Sequence, residues 1–87
     1  MKVRVACGGF RLTVDLPAES PATVGELLRR LAASHPGPLA AWADEHGRLR
    51  ESLQIFVNGE SLRYRGGLDS PLADGDEVYV IPLIAGG

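Results

Sequence analysis

Lysine and cysteine are nearly missing from this chain. Lys2 is the single lysine, and arginine supplies the other eight basic residues. Cys7 is the single cysteine, which excludes an internal disulfide framework. His35 and His46 are too far apart, and too far from Cys7, for zinc-ligand spacing. A strong excess of either charge is missing too. The formal net charge is −2, so no basic field exists to hold nucleic acid or anionic lipid. No stretch approaches the roughly 20 apolar residues of a membrane span, and the opening MKVRVACGGF has no apolar segment of signal-peptide length. These absences lead us to expect a cytoplasmic protein that engages neither nucleic acid nor membrane. With 87 residues, one domain with one modest core is the ceiling, since chains of this size bury only about 60–65% of their unfolded surface.

What is present is periodic. Val3, Val5 and Cys7 alternate with Lys2, Arg4 and Ala6; beyond Gly8-Gly9, Phe10, Leu12, Val14 and Leu16 alternate with Arg11, Thr13 and Asp15. Period two on both sides of a glycine turn predicts a β-hairpin with one buried face. Val24, Leu27, Leu28 and Leu31 recur at the spacing of one helix stripe. Thr23 and Glu26 stand at capping-box distance ahead of it, which predicts that hydroxyl and carboxylate each satisfy a backbone N–H. The stretch His35-Pro36-Gly37-Pro38 stops the helix. Residues 35–50 read as an ordered insertion or a loop, with a short helical turn at Leu39–Trp42 and a turn at Asp44–Gly47. Leu53, Ile55 and Val57 form a further strand, Asn58-Gly59 a hairpin turn, and Ser61–Tyr64 a weak returning strand. Residues Arg65–Pro71 read as irregular. After the turn Ala73-Asp74-Gly75-Asp76, the run from Glu77 to Ile81 is apolar enough to be a central strand.

The order β-β-α-β-β-β predicts an α+β protein: a mixed five-stranded sheet with one principal helix near residues 23–34 across one face, the β-grasp arrangement. The domain is expected to span 1–82, with 83–87 as a flexible C-terminal Gly-Gly tail.

Side-chain catalysis finds no candidate. Cys7 shares a strand face with Val3 and Val5, so a buried inert thiol is the reading. Asp74 and Asp76 flank a glycine, and a turn accounts for them better than a metal does. Neither Gly8-Gly9 nor Gly66-Gly67 has the flanking pattern of a phosphate loop. No metal and no bound cofactor are therefore expected. The tail is different. Gly86 and Gly87 have no Cβ, so an extended Gly-Gly end is slim enough to enter a narrow channel. Its carboxylate is inert as an acyl donor until activated, for example as an acyl-adenylate.

The segments VNGESLRYRGGL, LADGDEVYVIP and the closing AGG resemble the prokaryotic ubiquitin-like sulfur-carrier family of MoaD, ThiS and CysO type. The likeness covers essentially the whole chain. It implies that an E1-like enzyme adenylates the Gly87 carboxylate with ATP, that sulfur replaces AMP to give a thiocarboxylate, and that a downstream sulfur-accepting synthase takes the sulfur. On that reading the chain is a protein co-substrate and not an enzyme, and an end at Gly87 needs no proteolytic maturation. Segment 35–50 makes the chain longer than thiamine-type carriers and resembles the molybdopterin and cysteine branches; Arg63 with Gly66-Gly67-Leu68 leans toward a carrier for cysteine or another sulfur metabolite, with molybdopterin as the other branch. A ubiquitin-like modifier joined through Gly87 to target lysines uses the same activation and stays open. So does a non-covalent β-grasp interaction module.

Strand alternation also points to a docking surface. If Val78, Val80, Ile55 and Val57 face the helix, Tyr79 and Phe56 face away from it. With Leu83, Ile84 and Ala85 of the tail they are expected to form a partner-binding patch, to which Arg63 adds charge.

Overall fold

The structure, a computed structural model, describes residues 1–7, 10–19, 22–34, 42, 49–50 and 53–82. The hairpin forms as its period requires. Strands β1 (Lys2–Cys7) and β2 (Phe10–Asp15) pair antiparallel, from Lys2↔Asp15 to Cys7↔Phe10. After helix α1 (Val24–Ser34) come β3 (Leu53–Val57), β4 (Glu60–Ser61) and β5 (Glu77–Pro82). The sheet order is β2-β1-β5-β3-β4. The first and last strands lie side by side and parallel, with Arg4 opposite Glu77 and Cys7 opposite Val80. β3 flanks β5 on the other side, antiparallel, from Leu53↔Pro82 to Val57↔Val78. The apolar strand β5 is thus central, as its composition predicts.

One face of this sheet is closed by α1. Val3, Val5 and Cys7 of β1, Ile55 and Val57 of β3, and Val78 and Val80 of β5 meet Val24, Leu27, Leu28 and Leu31 of the helix in a single buried cluster. Trp42 and Leu49 pack against this core from the insertion. Residues 35–41 and 43–48, and with them the two turns expected there, lie outside the described residues.

Two expectations are corrected. The returning strand is only Glu60–Ser61; Leu62–Tyr64 coils into a 3₁₀ turn, with Ser61 Oγ accepting from the Arg63 N–H at 3.4 Å. Turning there sends Leu62 into the core, where it is buried, so burial wins over continuing the ladder. The segment after it is also more regular than expected, since Gly67–Asp69 forms a second 3₁₀ turn. Its entry at Gly66, with φ 92°, is a conformation that side chains with a Cβ avoid.

The capping box is half made. Thr23 Oγ1 accepts from the Glu26 N–H at 3.3 Å, but the Glu26 carboxylate accepts instead from Arg29 (Nε 3.0 Å, Nη2 2.7 Å) and from Arg30 (Nε 2.7 Å). Charge-assisted bonds to two guanidinium groups outbid one backbone amide. Hydrogen bonds from Arg29 hold the Glu26 carboxyl below its ordinary range; partial desolvation opposes this and Arg30 adds to it. Folding lowers this pKa, so the stability it contributes is present above the unfolded carboxyl's value, about 4.3, and is lost as pH falls through the folded value. Glu26→Gln should therefore lower stability at neutral pH. The gap to the parent protein should close as the solution is acidified below about pH 4. Denaturant melts of both proteins across that range check it.

Two turns lock together at one end of the sheet. Asn58 and Gly59 have φ of 51° and 86°, the left-handed pair that a tight hairpin turn demands. Asn58 then clips the start of β5. Its N–H donates to Glu77 O (2.8 Å), its Oδ1 accepts from the Glu77 N–H (2.9 Å), and its Nδ2 donates to Asp76 Oδ1 (2.9 Å). Asp76 Oδ2 accepts from the Ala73 N–H (2.8 Å) and Asp74 Oδ1 from the Lys2 N–H (2.7 Å). Both aspartates are thus committed to turn hydrogen bonds. Among the described residues no group of three or more His, Cys, Asp or Glu is placed to hold a metal. Nor is any described helix long and apolar enough to cross a membrane.

Candidate functional site

The face of the sheet opposite α1 carries the exposed aromatic groups. On β5, Val78 and Val80 point into the core, which turns Tyr79 and Ile81 outward at 40% and 45% exposure. On β3, Ile55 and Val57 point inward and Phe56 outward, half-buried. Register then brings the two aromatics together, because Phe56 is the direct cross-strand partner of Tyr79. Directly opposed residues hold their Cβ atoms about 4.5–5.5 Å apart. Ile81 lies one step along the same face, opposite Gln54 and beside Pro82, where β5 ends. Phe56, Tyr79 and Ile81 form an apolar strip leading to that end of the strand.

The Tyr79 hydroxyl donates to Glu77 Oε2 (3.1 Å), and Glu77 Oε1 accepts from Arg4 Nη2 (3.2 Å). The phenol's polar end is satisfied within the sheet, so the ring can meet an apolar partner without stranding a donor.

Strand alternation placed Phe56 and Tyr79 on the face away from the helix, where they lie, but left out Ile81, although its parity with Tyr79 was available. It also missed Tyr64, which is 83% exposed on the 3₁₀ turn. Reading that stretch as a strand hid its position. Arg63 is exposed on the same turn, beyond the edge strand β4. Arg65 has a structural task instead: it donates to Ser70 Oγ (3.0 Å), Glu60 Oε1 (3.2 Å) and Pro71 O (3.2 Å), bracing the loop around buried Ser70. Leu83, Ile84, Ala85, Gly86 and Gly87 lie outside the described residues, as do His35 and His46. Cys7 is buried at 6% exposure, and burial pushes its thiol up from the ordinary value. That direction is wrong for a thiolate nucleophile.

A helix on one face of a mixed sheet, with parallel first and last strands at its centre, is the ubiquitin-like β-grasp. The ThiS family model matches residues 8–87. The sulfur carrier protein CysO of Mycobacterium tuberculosis is 37% identical over 67 residues, covering 75% of this chain and 72% of that protein. Small archaeal modifier protein 3 of Haloferax volcanii is 38% identical over 69 residues, covering 79% and 74%. Among solved structures, a chain of the Amycolatopsis orientalis BexX/CysO complex superposes with a TM-score of 0.74 at 30% identity, over 98% of this chain and 99% of that one. The chain belongs to the ThiS family, the ubiquitin-like sulfur carriers of MoaD, ThiS and CysO type. Its relatives are sulfur carrier proteins, substrates of enzymes and not catalysts.

Proposed function

We propose that this protein carries sulfur on its C-terminal carboxylate. The observation that carries the reading is the position of the apolar strip. Phe56, Tyr79 and Ile81 line the open face up to Pro82, the last residue of the central strand, from which residues 83–87 continue. A partner enzyme docked on the strip is placed to receive the tail. Leu83, Ile84 and Ala85 give it apolar and slim contacts, and Gly86 and Gly87 thread toward ATP held by the enzyme. The Gly87 carboxylate attacks the α-phosphate and releases pyrophosphate. A sulfide-level donor then attacks the acyl carbon, AMP leaves, the donor's proton passes to solvent, and a thiocarboxylate remains for a downstream synthase. The carrier needs no cofactor of its own, because ATP belongs to the E1-like partner. Cytoplasm is the compartment where such partners and ATP are available. Likeness to CysO favours cysteine or a related sulfur metabolite as the product, with molybdopterin as the other branch. Intact mass spectrometry of the protein from its native cell tests the reading: oxygen-to-sulfur exchange at the C-terminus is expected, and its absence under sulfur-demanding growth would refute it.

A second reading is supported by the 38% identity to a small archaeal modifier protein. As a modifier, the chain would be conjugated through Gly87 to lysines of other proteins. High-mass conjugates on blots of cell extract are its signature, whereas a dedicated carrier leaves only free protein.

Tyr79→Ala and Phe56→Ala should each weaken binding to the activating enzyme by at least ~2 kcal/mol, the cost of truncating a central aromatic anchor. Both side chains lie off the core cluster, so the fold should be much less affected. Titration calorimetry showing unchanged affinity for both variants would remove the strip from the interface.

A further inference from the structure

We propose that the same open face carries a recognition notch for a carboxylate side chain of the activating enzyme, with Arg11 as its anchor; this rests on the carrier reading above. Register places Arg11, Ala6 and Tyr79 in one row across β2, β1 and β5. Ala6 offers only a methyl group between two large neighbours, and the row is hollow at that point. The hollow is an open cavity of about 260 Å³ walled by Arg4, Arg11, Thr13, Glu77 and Tyr79.

Its charge is not balanced. Two guanidinium groups line it against one carboxylate, and that carboxylate is already engaged at both oxygens, by Arg4 Nη2 and by the Tyr79 hydroxyl. Arg11 is exposed, and among the described residues no carboxylate pairs with it. A planar guanidinium group beside an aromatic wall is suited to bidentate capture of a carboxylate. Tyr79 is both a wall of the notch and a member of the apolar strip. An occupant that covers the strip therefore sets its neighbouring side chains over Arg11. This continuity selects a protein partner that presents an aspartate or glutamate next to apolar residues. It also separates the task of Arg11, orienting the enzyme across the sheet, from the apolar grip near the tail.

The test uses the full chain and its activating enzyme. Calorimetry should show Arg11→Glu weakening binding by on the order of tenfold or more, with Arg11→Lys, which keeps the charge but not the planar fork, falling between it and the parent. The parent protein's affinity should fall with added salt, and Arg11→Glu should flatten that dependence. Equal thermal melts establish that the variant is folded, and Arg11→Gln serves as a milder second variant. Arg11→Glu with parental affinity and parental salt dependence would overturn the notch. ATP–pyrophosphate exchange, run alongside, should show a raised KM for Arg11→Glu with an unchanged rate at saturation, as expected for a positioning residue. If the parent binds but supports no exchange, the adenylation reading fails while the affinities still judge the notch. If the parent does not bind, both fail.

Discussion

Deletion of Gly87 should abolish ATP–pyrophosphate exchange with the activating enzyme while leaving the fold untouched. One extended residue spans up to ~3.6 Å, so the shortened chain presents its carboxylate that far from the α-phosphate. Displacements of ~1 Å can cost on the order of a hundredfold in rate, because an in-line attack depends on near-contact geometry. Dependence on length should also run the other way, and one residue added after Gly87 should block the reaction. Replacing Gly87 by alanine tests girth separately from length, since it adds a Cβ in the channel and keeps the reach. Gly87 is five residues beyond strand β5 (Glu77–Pro82) in the chain, so thermal melts of all three variants should match the parent. Normal exchange by the deleted protein would refute activation at this carboxylate.

Leu27→Ala should cost roughly 2–5 kcal/mol of folding stability, the range for truncating a fully buried leucine. Leu27 has 0% exposure and sits on the helix stripe that covers the sheet. The vacated space cannot collapse easily, because Val3, Val5, Ile55, Val57, Val78 and Val80 rise from a sheet held by its own ladder. Against about 5–15 kcal/mol for a whole small domain, this is a large fraction. Urea unfolding should show a lower midpoint with an unchanged slope, the mark of lost stability without a change in exposed surface. A loss under 1 kcal/mol would mean that α1 does not seal the core as described.

The sequence by itself determined the identity of most elements here. Period two in residues 2–16 and the stripe Val24, Leu27, Leu28, Leu31 record which side of each segment meets the core, and Asn58-Gly59 records a turn that few other residue pairs can make. The apolar run from Glu77 to Ile81 pointed to a central strand, and β5 is paired on one edge with β1 and on the other with β3. Tertiary structure decided whatever depended on a neighbour distant in the chain. Local spacing predicts a capping carboxylate at Glu26, but two guanidinium groups compete for it and win. It predicts a strand through Ser61–Tyr64, but burying Leu62 turns the chain. Alternation shows that Phe56 and Tyr79 leave the core, yet only the β3–β5 register makes them partners. Only the pairing of β1 with both β2 and β5 sets Arg11 and Tyr79 on either side of Ala6. A period reports the face on which a side chain lies; what it touches there is set by register, and register is a property of the assembled sheet.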